Sequence, residues 1–389
     1  MILPFANIEY YIIAFLSIIV LLLVKQFLRK YISFNIILLL LSVLFIAFYY
    51  PKPIHIVLFV TYSYIMYYLF NNIIKLKNKL LGTIVLLLPM ILVKAGIKVH
   101  YYPFEVSHWM SFAGLSYISF RIVSVYIESK PGSKPVNILK YLNFLLFTPT
   151  LLIGPIDRFN RFSKDIDNGY KNISIQNFSK AWDLLVLGIA YKYIIAEIID
   201  RYWLNNFSIE SKNIIDMTAN MYGYYFYLFF DFAGYSSMAI GVGKMMGIDV
   251  PINFDKPFLA RNPQDFWRRF HKTLGDWLRD YFFMPFYKYF TKKKSLKKYP
   301  LMRQNIALFA TFMLMGVWNG FSKNFILSGV IFALYSVIHN TYVHYSRKSG
   351  YDIVFKNLEE KYVKWISIFI MFNLAAFSIY IFSGRFPYL

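Results

Sequence analysis

Six histidines and no cysteine set the chemical inventory of this 389-residue chain. Without cysteine, thiol catalysis, thiolate metal sites, disulfides and S-palmitoylation are excluded. No zinc-protease HExxH, phosphate-loop or GxSxG pattern is present. His271 stands in RNPQDFWRRFHKTLGDWLRDYFFMPF, among Arg268, Arg269, Lys272, Arg279 and Asp280. Imidazole is the side chain that changes charge near neutral pH, so His271 suits a proton carrier or polar anchor in a cavity wall. The same stretch, as a helix, puts Phe270, Leu274, Trp277 and Tyr281 on one face, which also fits an amphipathic interfacial helix. Asp231 lies in the nearly continuous apolar run NMYGYYFYLFFDFAGYSSMAIGVGKMMG. A charge there costs about 2.5–3.5 kcal/mol on insertion scales, so it must face a protein interior or a cavity. It is either a structural carboxylate bonded to a Tyr or Lys, or a functional one. Trp318, Asn319 and Gly320 close an apolar run and read as a helix end with an Asn-Gly turn. His339 and His344 fall near the end of the next run. His55, His100 and His108 fall in loops or run ends without a ligand pattern.

These residues need membrane helices to position them. The chain is 58% hydrophobic and 21% aromatic but only 16% charged. Soluble domains average roughly 25% charged residues, so a soluble enzyme, a disordered chain and a nucleic-acid-binding domain are poor readings. Apolar runs of about membrane-spanning length occur at 8–24, 32–50, 54–73, 80–93, 109–127, 136–153, 179–200, 214–245, 303–318, 324–343 and 363–383. The expectation is an all-α polytopic protein with roughly ten or eleven crossings. The start lacks the basic region and cleavage site of a signal peptide, so the first run reads as a retained span. Asn253 to Pro300 mixes aromatic and charged residues and is too charged for one ordinary crossing. It is expected to form interfacial or re-entrant helices packed in protein. The net charge is +22. Basic residues cluster between spans, at Lys25, Arg29 and Lys30, at Lys75, Lys77 and Lys79, and at Lys292, Lys293, Lys294, Lys297 and Lys298. By the positive-inside rule these loops are cytoplasmic and the N-terminus is outside. A basic cytoplasmic face also suits anionic lipid or an acidic partner.

The segments NMYGYYFYLFFDFAGYSSMAIGVGKMMGIDVPINFDKPF, DFWRRFHKTLGDWLRDYFFMPF and FMLMGVWNG resemble the membrane-bound O-acyltransferase family. GLSYISF at Gly114 to Phe120, GPIDRF at Gly154 to Phe159, FDFAGYS and IYIFSG at Ile379 to Gly384 resemble its DltB branch, which serves teichoic-acid D-alanylation. The resemblance runs in order over nearly the whole chain. It implies one integral membrane domain, with N-terminal spans over 1–130 and a motif-bearing core over 131–389. The implied shape is a ring of roughly 11 helices around a central funnel. It implies D-alanyl transfer from a thioester on the phosphopantetheine arm of an acidic cytoplasmic carrier protein, with no directly bound cofactor or metal. Other D-alanylation membrane proteins are implied as partners, in the cell membrane of a Gram-positive bacterium. Residue by residue, His271 matches one family histidine. The family's Trp-His-Gly histidine is replaced by Asn319, and a second one, in a Tyr-His pair, aligns with Phe332. An amide does not titrate near neutral pH. The implied catalytic set is therefore His271, Asn319 at the motif position, and Asp231, with Trp318, Arg269, Trp267, Asp157 and Arg158 lining the substrate path. A non-catalytic carrier-docking scaffold and, less well supported, a polar-lipid transporter are the alternatives.

Overall fold

In lipid the backbone can satisfy its polar groups only within a helix or a closed barrel, and the long apolar runs of this chain are helical. The computed structural model describes residues 8–96, 100–101, 104–105, 112–356 and 358–389. His108 and the first residues of the span expected at 109–127 lie outside the described residues. Two compact units emerge, one of residues up to 189 with 235–252, the other of residues 190–234 with 253–389.

The first unit holds α1 (Ile8–Leu23), α2 (Phe34–Tyr49), α3 (Pro53–Tyr68), α4 (Lys79–Lys94), α5 (Leu115–Glu128), α6 (Ile138–Leu146), α7 (Phe159–Asn168) and α8 (Ile175–Ile189). Ser33, Asn78 and Asn137 start α2, α4 and α6 by accepting a backbone N–H on their side chains. Burial is inverted relative to a soluble protein. Phe15, Leu16, Leu40, Phe48 and Leu80 are exposed, whereas Ser42, Ser63, Ser119, Ser124 and Arg121 are buried. A lipid-facing surface explains both halves of that pattern. Arg121, 1% exposed, donates to the carbonyls of Phe144 (2.9 Å), Leu145 (3.1 Å) and Thr150 (2.6 Å). It thereby satisfies acceptors left unpaired where α6 ends.

The run at 136–153 does not form one continuous helix. Its helix α6 has nine residues, about 14 Å. Pro149, inside a 3₁₀ turn at Thr148–Thr150, prevents it from continuing.

The second unit holds α9 (Ala196–Tyr202), most of α10 (Ile214–Met245), α11 (Pro263–Trp267), α12 (Lys272–Leu278), α13 (Met284–Thr291), α14 (Pro300–Asn319), α15 (Lys323–Ser349) and α16 (Glu360–Ser383). α14 and α15 form an antiparallel hairpin. They touch backbone to backbone at Gly316 and Gly329, where a Cβ on Gly316 would come 2.6 Å from the Phe325 carbonyl. α16 runs antiparallel to α15, with Ser328 Oγ donating to the Ser378 carbonyl (3.0 Å) and Asn324 Nδ2 to that of Phe382 (2.6 Å). Among the described residues, three helical stretches are individually long and apolar enough to cross a membrane: Pro53–Ile73, Lys323–Ser349 and Glu360–Ser383. As expected, Asn253 to Pro300 breaks into short helices. Phe254 and Phe258 pack on Phe229 of α10, and Trp267 packs on Phe312 of α14 and Phe332 of α15.

Candidate active site and a basic cleft

His271 joins α11 to α12 in the left-handed backbone region, at φ 49° and ψ 46°. Few non-glycine residues adopt it, and such strain persists where surrounding contacts over-determine it. The side chain is 8% exposed. Its ring meets Phe232 edge-on at 4.8 Å, and its Nδ1 lies 3.1 Å from Asn253 Oδ1. That oxygen also accepts from Thr273, at 3.3 Å from the backbone nitrogen and 2.8 Å from Oγ1. An oxygen accepting from all three requires the proton on Nδ1, so Nε2 carries the lone pair. Asn253 thus orients His271 in the tautomer a general base needs, as the third member of a catalytic triad does.

Burial pushes the His271 imidazole down from 6.5 to about 3. Unfolded chains protonate this group near pH 6.5 and the folded protein only near 3. Its stabilising contribution is therefore complete above about 6.5 and declines as pH falls toward 3, by about 1.4 kcal/mol per pH unit. Thermal unfolding in detergent should show wild type losing about 1 kcal/mol more than His271→Asn between pH 6.5 and 5.5; equal losses would contradict a neutral buried imidazole.

Asp231, on α10, forms an ion pair with Lys192, a residue that sequence reasoning missed. Lys192 lies in a π-helical stretch, Ala190–Ile195, and is 9% exposed. Its signal was available: a lysine inside the apolar run at 179–200 needs a partner for the same reason as Asp231. Asn253 gave no such signal, because it meets His271 from another part of the chain without a shared period.

Asn319 is exposed at the last turn of α14, and its Nδ2 donates to the Met315 carbonyl at 2.9 Å. This is a helix-end contact that leaves Oδ1 as an acceptor. Trp318, beside it, is half-buried. Phe332 is 3% exposed and stacks on Phe266 at 5.7 Å, so that position is core. Arg269 pairs with Asp265 at 2.9 Å and its carbonyl accepts from the Asp255 N–H at 2.9 Å. It therefore braces the loop that brings Asn253 to His271. Asp157 and Arg158 belong to the first unit. Arg161 Nε donates to Asp157 Oδ1 at 2.7 Å, and so does the Arg158 N–H at 2.6 Å. Burial pushes the Asp157 carboxyl up, against the pull of Arg161. Among the described residues no group of three His, Asp or Glu side chains is gathered as a metal site.

A cleft of about 870 Å³ opens between the α11–α12 segment, the middle of α14 from Gln304 to Met315, and the second half of α15. Arg268, Arg279, Arg347 and Lys348 line it with one carboxylate, Asp276, and with His339 and His344. Trp267 and Gln264 also line it. Two buried atoms there, Trp267 Nε1 and Gln264 Oε1, have no hydrogen-bond partner in the protein. One is a donor and the other an acceptor.

The sequence pattern of the membrane-bound O-acyltransferase family matches residues 12–381. The chain belongs to this family. It is 38% identical over 284 residues to the teichoic acid D-alanyltransferase of Bacillus subtilis, covering 71% of this chain and 69% of that one. Its identity to the teichoic acid D-alanyltransferase of Streptococcus thermophilus is 34%, over 78% of this chain and 75% of that one. The peptidoglycan O-acetyltransferase of Helicobacter pylori is 32% identical over 61% of this chain and 43% of its own length. The chain is thus a membrane acyltransferase, as the sequence motifs implied, and the helical fold, with one two-residue strand pair at His100–Tyr101 and Phe104–Glu105, agrees with that membership.

Proposed function

We propose that this O-acyltransferase moves D-alanine from a carrier-protein thioester, presented at the cytoplasmic face of a Gram-positive cell, to a hydroxyl reached from outside that leads to teichoic acid. The acyl group is supported by the relatives' activity. The donor is supported by the cleft, which carries this reading. A phosphopantetheine arm has a phosphate, for which Arg268, Arg347 and Lys348 are suited, whereas Arg279 is paired with Asp276 and Asp280. The arm also has amides, each offering one acceptor and one donor, which Trp267 Nε1 and Gln264 Oε1 lack. Lys292 to Lys298, at the same end of α14 as the basic mouth, suit an acidic carrier. The positive-inside rule makes that end cytoplasmic and the N-terminus external. Other membrane proteins of D-alanylation are the expected partners.

The reaction breaks the thioester C–S bond and forms an ester C–O bond. The attacking hydroxyl gives its proton to Nε2 of His271, and the departing thiolate takes a proton to leave as thiol. Asn319 does not titrate; its Oδ1 is placed to accept a hydrogen bond from the acceptor. Cells with and without the protein should differ by a D-alanyl mass on their envelope polymers; identical spectra would refute the reaction. Asn319→His should change D-alanyl transfer in membrane vesicles by less than about tenfold. A gain near the 10²-fold that a newly supplied base provides would mean that the parent lacks its base and His271 does not fill that role.

A further inference from the structure

At the end of the second unit opposite the lysine cluster, α16 stops at Gly384, whose φ of 74° is left-handed, and Arg385 follows. Its backbone N–H donates to Ser383 Oγ at 3.0 Å. The guanidinium is half-buried over the Tyr224 ring, 5.5 Å from its centre, and donates to Asn220 Oδ1 at 3.2 Å. Asn220 is 1% exposed. Its Nδ2 is held by the carbonyls of Phe207 (3.4 Å), Ser208 (3.2 Å) and Asp216 (3.0 Å). That fixes which end of the amide faces Arg385, so the guanidinium sits in a prepared seat. Among the described residues no carboxylate is paired with it. One of five N–H donors is engaged, and a cation is held partly out of water without a counter-charge. Such a site attracts an anion, and a planar fork of donors matches the two oxygens of a phosphodiester. Lys212, over the Tyr388 ring at 5.2 Å, adds a second cation to the same part of the chain's end.

We infer that Arg385, seated by Asn220 and Tyr224, binds a phosphodiester of the polyanionic acceptor and so positions the attacking hydroxyl. The word acceptor rests on the transfer reaction proposed above; the anion site does not. Binding of a fluorescent oligo(glycerol phosphate) to the protein in phosphatidylcholine nanodiscs tests the site without catalysis. Arg385→Gln should weaken it about tenfold or more, with Arg385→Lys in between, and binding should weaken with salt. Equal binding by wild type and Arg385→Gln overturns the inference. In transfer assays with loaded carrier, Arg385→Gln should lower kcat/KM for the oligo(glycerol phosphate) about tenfold or more, with part of the loss restored by Arg385→Lys. A kcat/KM effect that appears only when phosphatidylglycerol is present assigns the phosphate to lipid and overturns the acceptor site. Arg385-dependent binding by a wild type that transfers nothing would support the site and refute the reaction.

Discussion

Replacing His271 with Asn is expected to lower D-alanyl transfer by about 10²–10⁴-fold, the usual contribution of a general base, while the protein still accumulates in the membrane. Asn is the replacement of choice because it tolerates the left-handed backbone that His271 adopts. It keeps a short amide beside Asn253 and removes only the titratable lone pair. Transfer of labelled D-alanine from loaded carrier in inverted vesicles measures the effect. Undiminished transfer at equal protein level would remove His271 from the reaction and direct attention to Asp231. An indirect role through fold damage is separated by the melting temperature, which the same sample provides.

The second large effect concerns stability. Lys192→Ala is expected to destabilise the fold by about 3 kcal/mol, because it strands the Asp231 carboxylate in an apolar helix bundle. This is the lower end of the roughly 3–5 kcal/mol typical of a broken buried pair, since the Asp231 side chain is 30% exposed. Pairing Lys192→Met with Asp231→Asn should recover most of the loss, because both charges then leave together. Melting curves of Lys192→Met, Asp231→Asn and the double variant in detergent give the coupling directly. Additive losses would show that the pair contributes nothing as a pair. A recovered fold without transfer would give Asp231 a chemical role beyond its ion pair.

The helices were legible because lipid-length apolar runs have few alternatives. α16, expected over 363–383, occupies Glu360–Ser383. The run at 136–153 misled because hydropathy records how greasy residues are and not that Pro149 ends a helix among them. Within the site, Asp231 was legible as a residue needing a partner, whereas Lys192 went unread although the same physics applies to it. His271 was legible as a type and a neighbourhood. Its left-handed backbone and the orienting amide of Asn253 were not, since both arise from contacts 18 residues apart in the chain. The missing partners of Trp267 Nε1 and Gln264 Oε1 exist only in three dimensions, and no pattern of residues announces them.

The glycine contact between α14 and α15 has a mechanical consequence. Where Gly316 and Gly329 bring two backbones together, no side chains remain to compress or slide. Two of the cleft's three walls therefore behave as one stiff plate. The cleft widens most readily by displacement of the third wall, the segment that carries Trp267. Gly275 of α12 is pressed against the Trp267 carbonyl, 2.8 Å from where a Cβ would stand, so the segment yields as a piece. His271 stands midway in the chain between Trp267 and Gly275, inside the piece that moves.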